Sequence, residues 1–485
     1  MINLTSVHKH VHEMEIIKMS VKKPKVDFTG GNIFSKLLLF SLPIIATNLL
    51  QVLYNAADLM VISLSTEPNG VGAVGFSGTP VALIINLFIG FSLGSNVIIA
   101  RNIGAKDKNG TEKAIHTALV LALIFGVGSS ILGFALSRPL LQLMGAPDAI
   151  LNLAVTYMRI YFLGVPFVAL TNFLISIFRA KGDSKTPLII LSISGLINVA
   201  LNLLFVLAFN LSAEGVALAT VIANAISSVV LLIKLRKCDD YTGFRFQKLR
   251  LDKRMARDII YVGFPSAIQG SFISITNMVI TSSIGILDKA LSPDPLLTPV
   301  INGNAAQGNL DGFVYTGMDA ITAAVISFTG QNYGAKKPDR IKRGVLWGSL
   351  LSAGVGLVLS IAIFLLRTPL LSLYGVTDGP AGSADALAFH VATVRIFYLT
   401  LPYFICGLMN VTTGVLKGMG KPIQSFLLTL FGLCVLRILW SVIIFPLDQT
   451  LETLFVGYPI TWIASSIAGY IMVFKALKSF SKTNK

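Results

Sequence analysis

Charge is what this sequence has least of: Asp, Glu, Lys and Arg make up 13% of its 485 residues, and only 23 residues are acidic. Soluble chains carry about a quarter of their residues as charges, so a large water-solvated domain is excluded. Histidine occurs five times and cysteine three times. Cys238, Cys406 and Cys434 are dispersed without metal-ligand spacing and read as packing residues. No phosphate loop of the GxxxxGKS/T kind is present, which argues against an ATP-driven machine. Within the apolar stretches there is no histidine-rich or paired-carboxylate cluster such as an enzyme would need, and His116 and His390 stand alone near their ends. The excess of basic residues, a net +16, has no folded soluble module on which to form a nucleic-acid surface.

What the chain has instead is apolar length. Hydrophobic residues reach 54% and the mean hydropathy is +0.76. Stretches of roughly 17–25 apolar residues, enough to cross a bilayer as helix, recur along almost the whole chain. Six spans fall at 36–64, 71–100, 114–136, 150–178, 187–209 and 213–235, and six more at 258–287, 301–330, 344–366, 387–416, 423–445 and 455–477. The expected fold class is an all-α polytopic membrane protein with twelve transmembrane helices. Residues 1–35 are polar and basic with no apolar core ahead of a cleavage site, so they read as a cytoplasmic tail rather than a secretory signal. Met1 and Met19 both stand as translation starts. In the same tail, His8, His10 and His12 have a spacing that could hold a metal, although a solvated tail without one is the plainer reading.

Lys and Arg concentrate in alternate connections: Arg101, Lys106, Lys108 and Lys113, then Arg179, Lys181 and Lys185, then the run from Lys234 to Arg257, then Lys336 to Arg343, then Lys417 and Lys421. The opposite connections hold only Arg138, Lys289 and Arg367. Cytoplasmic connections retain the basic excess. Both termini are therefore expected in the cytoplasm, in a plasma membrane of the bacterial or archaeal type, with the surplus charge facing anionic lipid headgroups.

The two halves repeat. Gly104-Ala105-Lys106 recurs 230 positions later as Gly334-Ala335-Lys336, and the run from Pro139 to Gly145 recurs at the same offset from Pro369 to Gly375. Further on, an offset of 236 matches Arg159-Ile160-Tyr161 with Arg395-Ile396-Phe397, Pro166 with Pro402, and Lys181-Gly182 with Lys417-Gly418. An even number of spans per copy makes both enter from the same side, so the axis relating them should run along the membrane normal. The expected organisation is a tail (1–35), an N-lobe of helices 1–6 (36–235), a cytoplasmic linker (236–257), a C-lobe of helices 7–12 (258–477) and a C-terminal tail (478–485).

These motifs together resemble the multidrug and toxic compound extrusion (MATE) family, within the multidrug, oligosaccharidyl-lipid and polysaccharide exporter superfamily. The resemblance rests on Pro43 followed by Tyr54-Asn55-Ala56-Ala57-Asp58, on the Arg101-Asn102-Ile103-Gly104-Ala105-Lys106 loop, on the stretch from Arg179 to Pro187, and on Gly330-Gln331-Asn332-Tyr333-Gly334-Ala335. It covers nearly the whole chain. It implies two six-helix lobes forming a V-shaped cleft, an alternating-access cycle, and export of drug-like, often cationic compounds driven by protons or sodium ions.

Ionisable residues inside spans are few, and each needs a partner or a cavity, because a charge in hydrocarbon costs at least about 2.5–3.5 kcal/mol. Asp58 lies late in the first span in apolar surroundings; desolvation disfavours its charged form, the condition under which a carboxylate takes up and loses a proton. It could instead be a carboxylate neutralised by hydrogen bonds near the outer surface. Asn198 and Asn202, four apart and so on one helix face, and Thr220 in the sixth span are possible partners, and such oxygens also suit a small hard cation. By resemblance, Asp58, Asn198, Asn202 and Thr220 fall at the family's N-lobe cation site, where some members have aspartate at the place of Asn202. For the asparagines, plain helix-to-helix hydrogen bonding is the alternative. Acidic residues that other members carry on spans seven and ten are replaced here near Ile273 and Cys406.

In the second half, Asp311 and Asp319 in the eighth span are candidates for lining the cleft, with Tyr54 and Tyr315 beside them and Tyr161, Phe162 and Phe313 as further aromatics. Arg159 and Arg395, equivalent in the repeat, read as structural residues that snorkel or tie loop carbonyls, with anion recognition the alternative. Arg437 is a possible partner of Asp319. Bends are expected at Pro43, Pro166, Pro265 and Pro402.

The reading that follows is a secondary active exporter, not an enzyme, that exchanges H⁺ or Na⁺ for organic amphiphiles. Cationic substrates are expected because the candidate lining offers carboxylates and aromatics but few unpaired cations, Arg159, Arg395 and Arg437 being the cations set well inside spans. The alternative is a flippase for lipid-linked saccharide precursors, whose pyrophosphate would call for several Arg or Lys in the cavity. No cofactor is expected beyond the coupling ion; the partners are membrane lipid and drug-like molecules, and the chain reads as a monomer.

Overall fold

The structure, a computed structural model, describes residues 26–483 apart from 64, 66, 68, 69, 239 and 293–296. The tail histidines and both candidate starts lie outside the described residues. Among those residues, twelve helices are long and apolar enough to cross a membrane. They are α1 (Ile33–Ile62), α2 (Gly72–Gly104), α3 (Lys108–Leu143), α4 (Ile150–Ala180), α5 (Lys185–Ala208), α6 (Ala213–Arg236), α7 (Lys253–Leu291), α8 (Pro299–Gly334), α9 (Pro338–Leu365), α10 (Ala384–Gly418), α11 (Pro422–Leu447) and α12 (Leu451–Lys482). Most run several residues past the apolar windows, because the first and last turns lie where polar side chains are tolerated and the backbone bonds still favour helix. Long aliphatic side chains such as Ile131, Leu132 and Val358 are exposed around the bundle, as expected where the surrounding solvent is hydrocarbon.

Helices α1–α6 and α7–α12 form the two lobes of a V. They meet where α2 packs against α7 and α8, and α1 against α8, a set that maps onto itself when the repeats are exchanged. A Cβ on Gly104 would overlap the Gln331 carbonyl oxygen, and a Cβ on Gly334 would overlap that of Arg101. In the 230 register Gly104 corresponds to Gly334 and Arg101 to Gln331, so these are two halves of one reciprocal contact. Gly94 lies as tightly against Ile259 and Gly263. Side chains bridge the same seam: Ser327 Oγ donates to Asn96 Oδ1 at 3.2 Å, and Gln331 Nε2 to the Ala180 carbonyl at 2.9 Å. The guanidinium of Arg101 stands 4.8 Å from the Tyr333 ring.

The segment before α1 reinforces this end. Phe28 is fully buried, edge-on to Phe40 and Phe328, with its amide donating to Gln331 Oε1 at 3.0 Å. Arg340 of α9 donates to the carbonyls of Phe28, Gly30 and Gly31. On the other side, the Val26 amide reaches the Gly182 carbonyl at 3.1 Å. Between the lobes the linker is docked too: Phe244 is buried, the Arg245 amide donates to His116 Nε2 at 3.1 Å while Nδ1 of the same ring faces the Glu112 carbonyl, and Lys248 pairs with Glu112 at 2.7 Å.

Irregular turns fall unevenly between the repeats. Within α10 the backbone changes to π geometry at Ile396–Thr400 and to a 3₁₀ turn at Leu401–Tyr403, which places Pro402 in a break of the kind expected at an interior proline. Its counterpart Pro166 lies within an unbroken α4.

Because backbone lies where a Cβ would go, Gly104→Ala and Gly334→Ala should each destabilise the protein by about 1–3 kcal/mol, the cost of overpacking. Gly128→Ala, whose added methyl meets open space, is the control. Thermal melting of the purified protein should separate the two classes; equal melting temperatures would mean that the lobes do not touch at this seam.

Candidate functional site

The first cluster forms in the N-lobe. Asn198 and Asn202 follow one another on the inner face of α5, and Asn202 is fully buried. Asn202 Nδ2 donates to the half-buried Asp58 on α1 and, at 3.3 Å, to Asn198 Oδ1. Asn198 Nδ2 in turn donates to Thr220 Oγ1 on α6 at 3.4 Å. The four residues thus form one chain across three helices. It leaves Asn202 Oδ1 buried without a donor, and such an atom normally costs about 1–3 kcal/mol. A carboxylate, two amide oxygens and a hydroxyl oxygen are a donor set that a small hard cation fits, and the orphaned oxygen is open to one. Tyr157 and Tyr161 of α4 lie within electrostatic range of Asp58.

A cavity of about 710 Å³ lies on the C-lobe side, walled by α7, α8, α10, α11 and α12 and closed by α2 and the end of α4. Asp311, Asp319 and Tyr315 line it, as do Ile273 and Cys406. Asp311 is buried and saturated: it accepts from Arg395 Nε at 2.9 Å, from Thr400 Oγ1 at 2.6 Å and from Gln307 Nε2 at 3.2 Å. The π turn of α10 is what brings Arg395 and Thr400 onto the same carboxylate. Removing either partner of a buried pair costs about 3–5 kcal/mol, so Asp311 holds the cavity wall together.

Several expectations change. Arg395 ties no loop carbonyl; it pairs with Asp311 and Asn304 inside the C-lobe. Its counterpart Arg159 is exposed over the Phe134 ring, and the position matching Asp311 in the first repeat is Val81, which gives Arg159 no reason to turn inward. Arg437 does not pair with Asp319. Its Nη2 donates to Thr461 Oγ1 at 3.4 Å and its guanidinium stands 4.1 Å from the Tyr458 ring. Tyr54 does not line the cavity; its ring packs on Gly195 of α5 and its hydroxyl donates to the Ser192 carbonyl at 3.0 Å. Tyr161 and Phe162 are buried in the N-lobe core, and Phe313 is not among the lining residues.

Two lining residues escaped the sequence reading. Arg179 and Lys417 had been assigned to basic connections, yet both are in the last turn of a spanning helix and both line the cavity. Asp319 lies within electrostatic range of each. A signal was available in the repeat. The helix ends are superimposable in hydrogen bonding, with Gly182 N donating to Arg179 O and Gly420 N to Lys417 O, and with φ positive at both glycines. The register here is therefore 238, not 236, and Arg179 is the counterpart of Lys417.

The MatE family model matches residues 43–204 and 300–443. A probable multidrug resistance protein of Bacillus subtilis, YpnP, is 27% identical over 460 residues, covering 94% of this chain and 99% of that protein. An FAD transporter of Shewanella oneidensis is 25% identical over 446 residues, covering 90% of this chain and 93% of that one. Among solved structures, an outward-facing multidrug resistance MATE transporter superimposes with a TM-score of 0.85 at 22% identity, covering 95% of this chain and 99% of that one.

Ligand binding to the native state raises its stability in proportion to the logarithm of ligand concentration. The melting temperature of the protein should therefore respond to Na⁺ or to pH through the Asp58 cluster. Asp58→Asn should fold, since an amide is cheaper to bury than a carboxylate, and lose that response. A variant that responds like the wild type would put the ion elsewhere.

Proposed function

This chain belongs to the MatE family, and from that premise we propose that it is a secondary active exporter that moves organic amphiphiles out of the cell in exchange for H⁺ or Na⁺ by alternating access. The observation that carries the coupling is the Asp58–Asn202–Asn198–Thr220 chain, a single carboxylate set among neutral oxygens, one of which has no donor. It lies in the N-lobe while the large cavity lies against the C-lobe. Exchange of ion for substrate then works through the different stability that each ligand gives to the two arrangements of the lobes. The interlobe seam at Gly104 and Gly334 is the contact that such a cycle has to open. The name of the B. subtilis relative supports a role in drug resistance.

A second reading has its own support. Four basic side chains, Arg179, Arg395, Lys417 and Arg437, line the cavity, which meets the requirement for several cations that a flippase of lipid-linked saccharide pyrophosphates would have. The same lining removes the ground for expecting cationic substrates. Exporter and flippase differ in the need for a gradient and in the presentation of the cargo.

In proteoliposomes, dye efflux should follow an imposed proton or sodium gradient and stop when that gradient is collapsed; movement of lipid-linked saccharide alone would favour the flippase. With both termini and the linker in the cytoplasm of a plasma-membrane protein, a membrane-impermeant maleimide applied to intact cells should spare Lys248→Cys and label Asp378→Cys. The reverse pattern would invert the topology.

A further inference from the structure

Both carboxylates of the cavity have cations near them. Asp311 is paired with Arg395 and accepts two further hydrogen bonds, and Asp319 lies within electrostatic range of two cations, Arg179 and Lys417. The two acidic side chains lining the cavity are thus outnumbered by the basic ones around them. Arg437 is the opposite case. It is 5% exposed, its Nε is buried without a partner, and among the described residues no carboxylate comes within ion-pair distance of it. A guanidinium cannot shed its proton to escape that situation, as a lysine could. Four basic groups thus face two acidic ones in a single cavity.

We infer that this cavity binds amphiphilic molecules bearing an anionic group, a carboxylate or a phosphate, with the Arg437 guanidinium as the anchor. The inference deepens the exporter reading and rests on it only in calling the occupant a substrate. A guanidinium recognises both groups through two parallel hydrogen bonds, and that of Arg437 lines the cavity without a carboxylate partner among the described residues. Beside it, Tyr403 stacks on Trp462 with centroids 4.9 Å apart, and Tyr458 meets the same indole edge-on. These rings offer a flat apolar wall for the rest of the ligand. Arg179 and Lys417, two cations around one carboxylate, add a second positive region deeper along α10, about 16 Å below Cys406 at 1.5 Å per residue. A ligand with a single positive charge would meet four basic groups against two acidic ones.

The test is equilibrium binding to the purified full chain by quenching of flavin fluorescence. Riboflavin and flavin mononucleotide differ only in the phosphate. The nucleotide should bind about tenfold tighter or more, the scale of one charge-assisted hydrogen-bonded contact. That preference should vanish in Arg437→Gln and be partly kept in Arg437→Lys, which retains charge without the fork. Competition by farnesyl pyrophosphate identifies the source of the anion: displacement of the nucleotide points to lipid-linked phosphates, and lack of displacement to soluble anions. If neither the nucleotide nor farnesyl pyrophosphate binds the wild type more tightly than riboflavin, or if cationic rhodamine 6G binds more tightly than both, the inference is overturned whether or not the variants fold. Retention of the full preference by Arg437→Gln overturns it as well. Binding is read without any ion gradient, so a failure of coupling leaves this result standing. Gradient-driven rhodamine 6G export without a phosphate preference would keep the exporter and remove the anion site.

Discussion

Two helix ends, those of α2 and α8, approach so closely that the backbone of each occupies the space where a side chain of the other would begin. Only glycine is compatible with that distance, and it stands at both places, Gly104 and Gly334, opposite Arg101 and Gln331. Much else follows from this crossing. It brings Ser327 to Asn96 and Gln331 to the end of α4, and it gives the Phe28 segment a surface that spans both repeats. Closing one end of the V also defines where a cavity can exist, since the helices diverge only beyond the seam.

The bilayer imposes a second constraint, that buried charge be matched, and the two lobes meet it differently. In the N-lobe, Asp58 is met by amide and hydroxyl partners and, among the described residues, not by a cation. Around the cavity the carboxylates stand near cations: Asp311 is paired with Arg395, and Asp319 is within electrostatic range of Arg179 and Lys417. That division has a sequence origin. Position 81 in the first repeat is valine where the second has Asp311, and the arginine common to both is exposed as Arg159 in one and half-buried against Asp311 as Arg395 in the other.

How far the site was legible depends on whether its residues lie on one helix or are gathered from several. Asn198 and Asn202 share a face by their spacing alone, and Asp58 is conspicuous in an apolar run, so the N-lobe cluster could be assembled residue by residue; the orphaned Asn202 oxygen could not. Tyr54 suits a cleft as an aromatic able to stack on flat ligands, but its ring fills the space left by Gly195. Arg179 and Lys417 were read by the rule that basic residues belong to connections, and they do sit at helix ends. Their last turns are nevertheless carried beneath α8, where Asp319 attracts both.

The sequence by itself determined the solvent, the number of spans and the duplication, because hydropathy and repeat register are properties of order along the chain and survive without coordinates. It also singled out Asp58, by the cost of a lone carboxylate in hydrocarbon, and the shared face of Asn198 and Asn202, by helical periodicity, while the family resemblance grouped these with Thr220. The tertiary structure alone decided the sign of the cavity. Which of several basic residues face inward depends on how helix ends from both repeats are packed beside α8 and on the π turn that swings Arg395 onto Asp311, and neither is encoded in any local pattern.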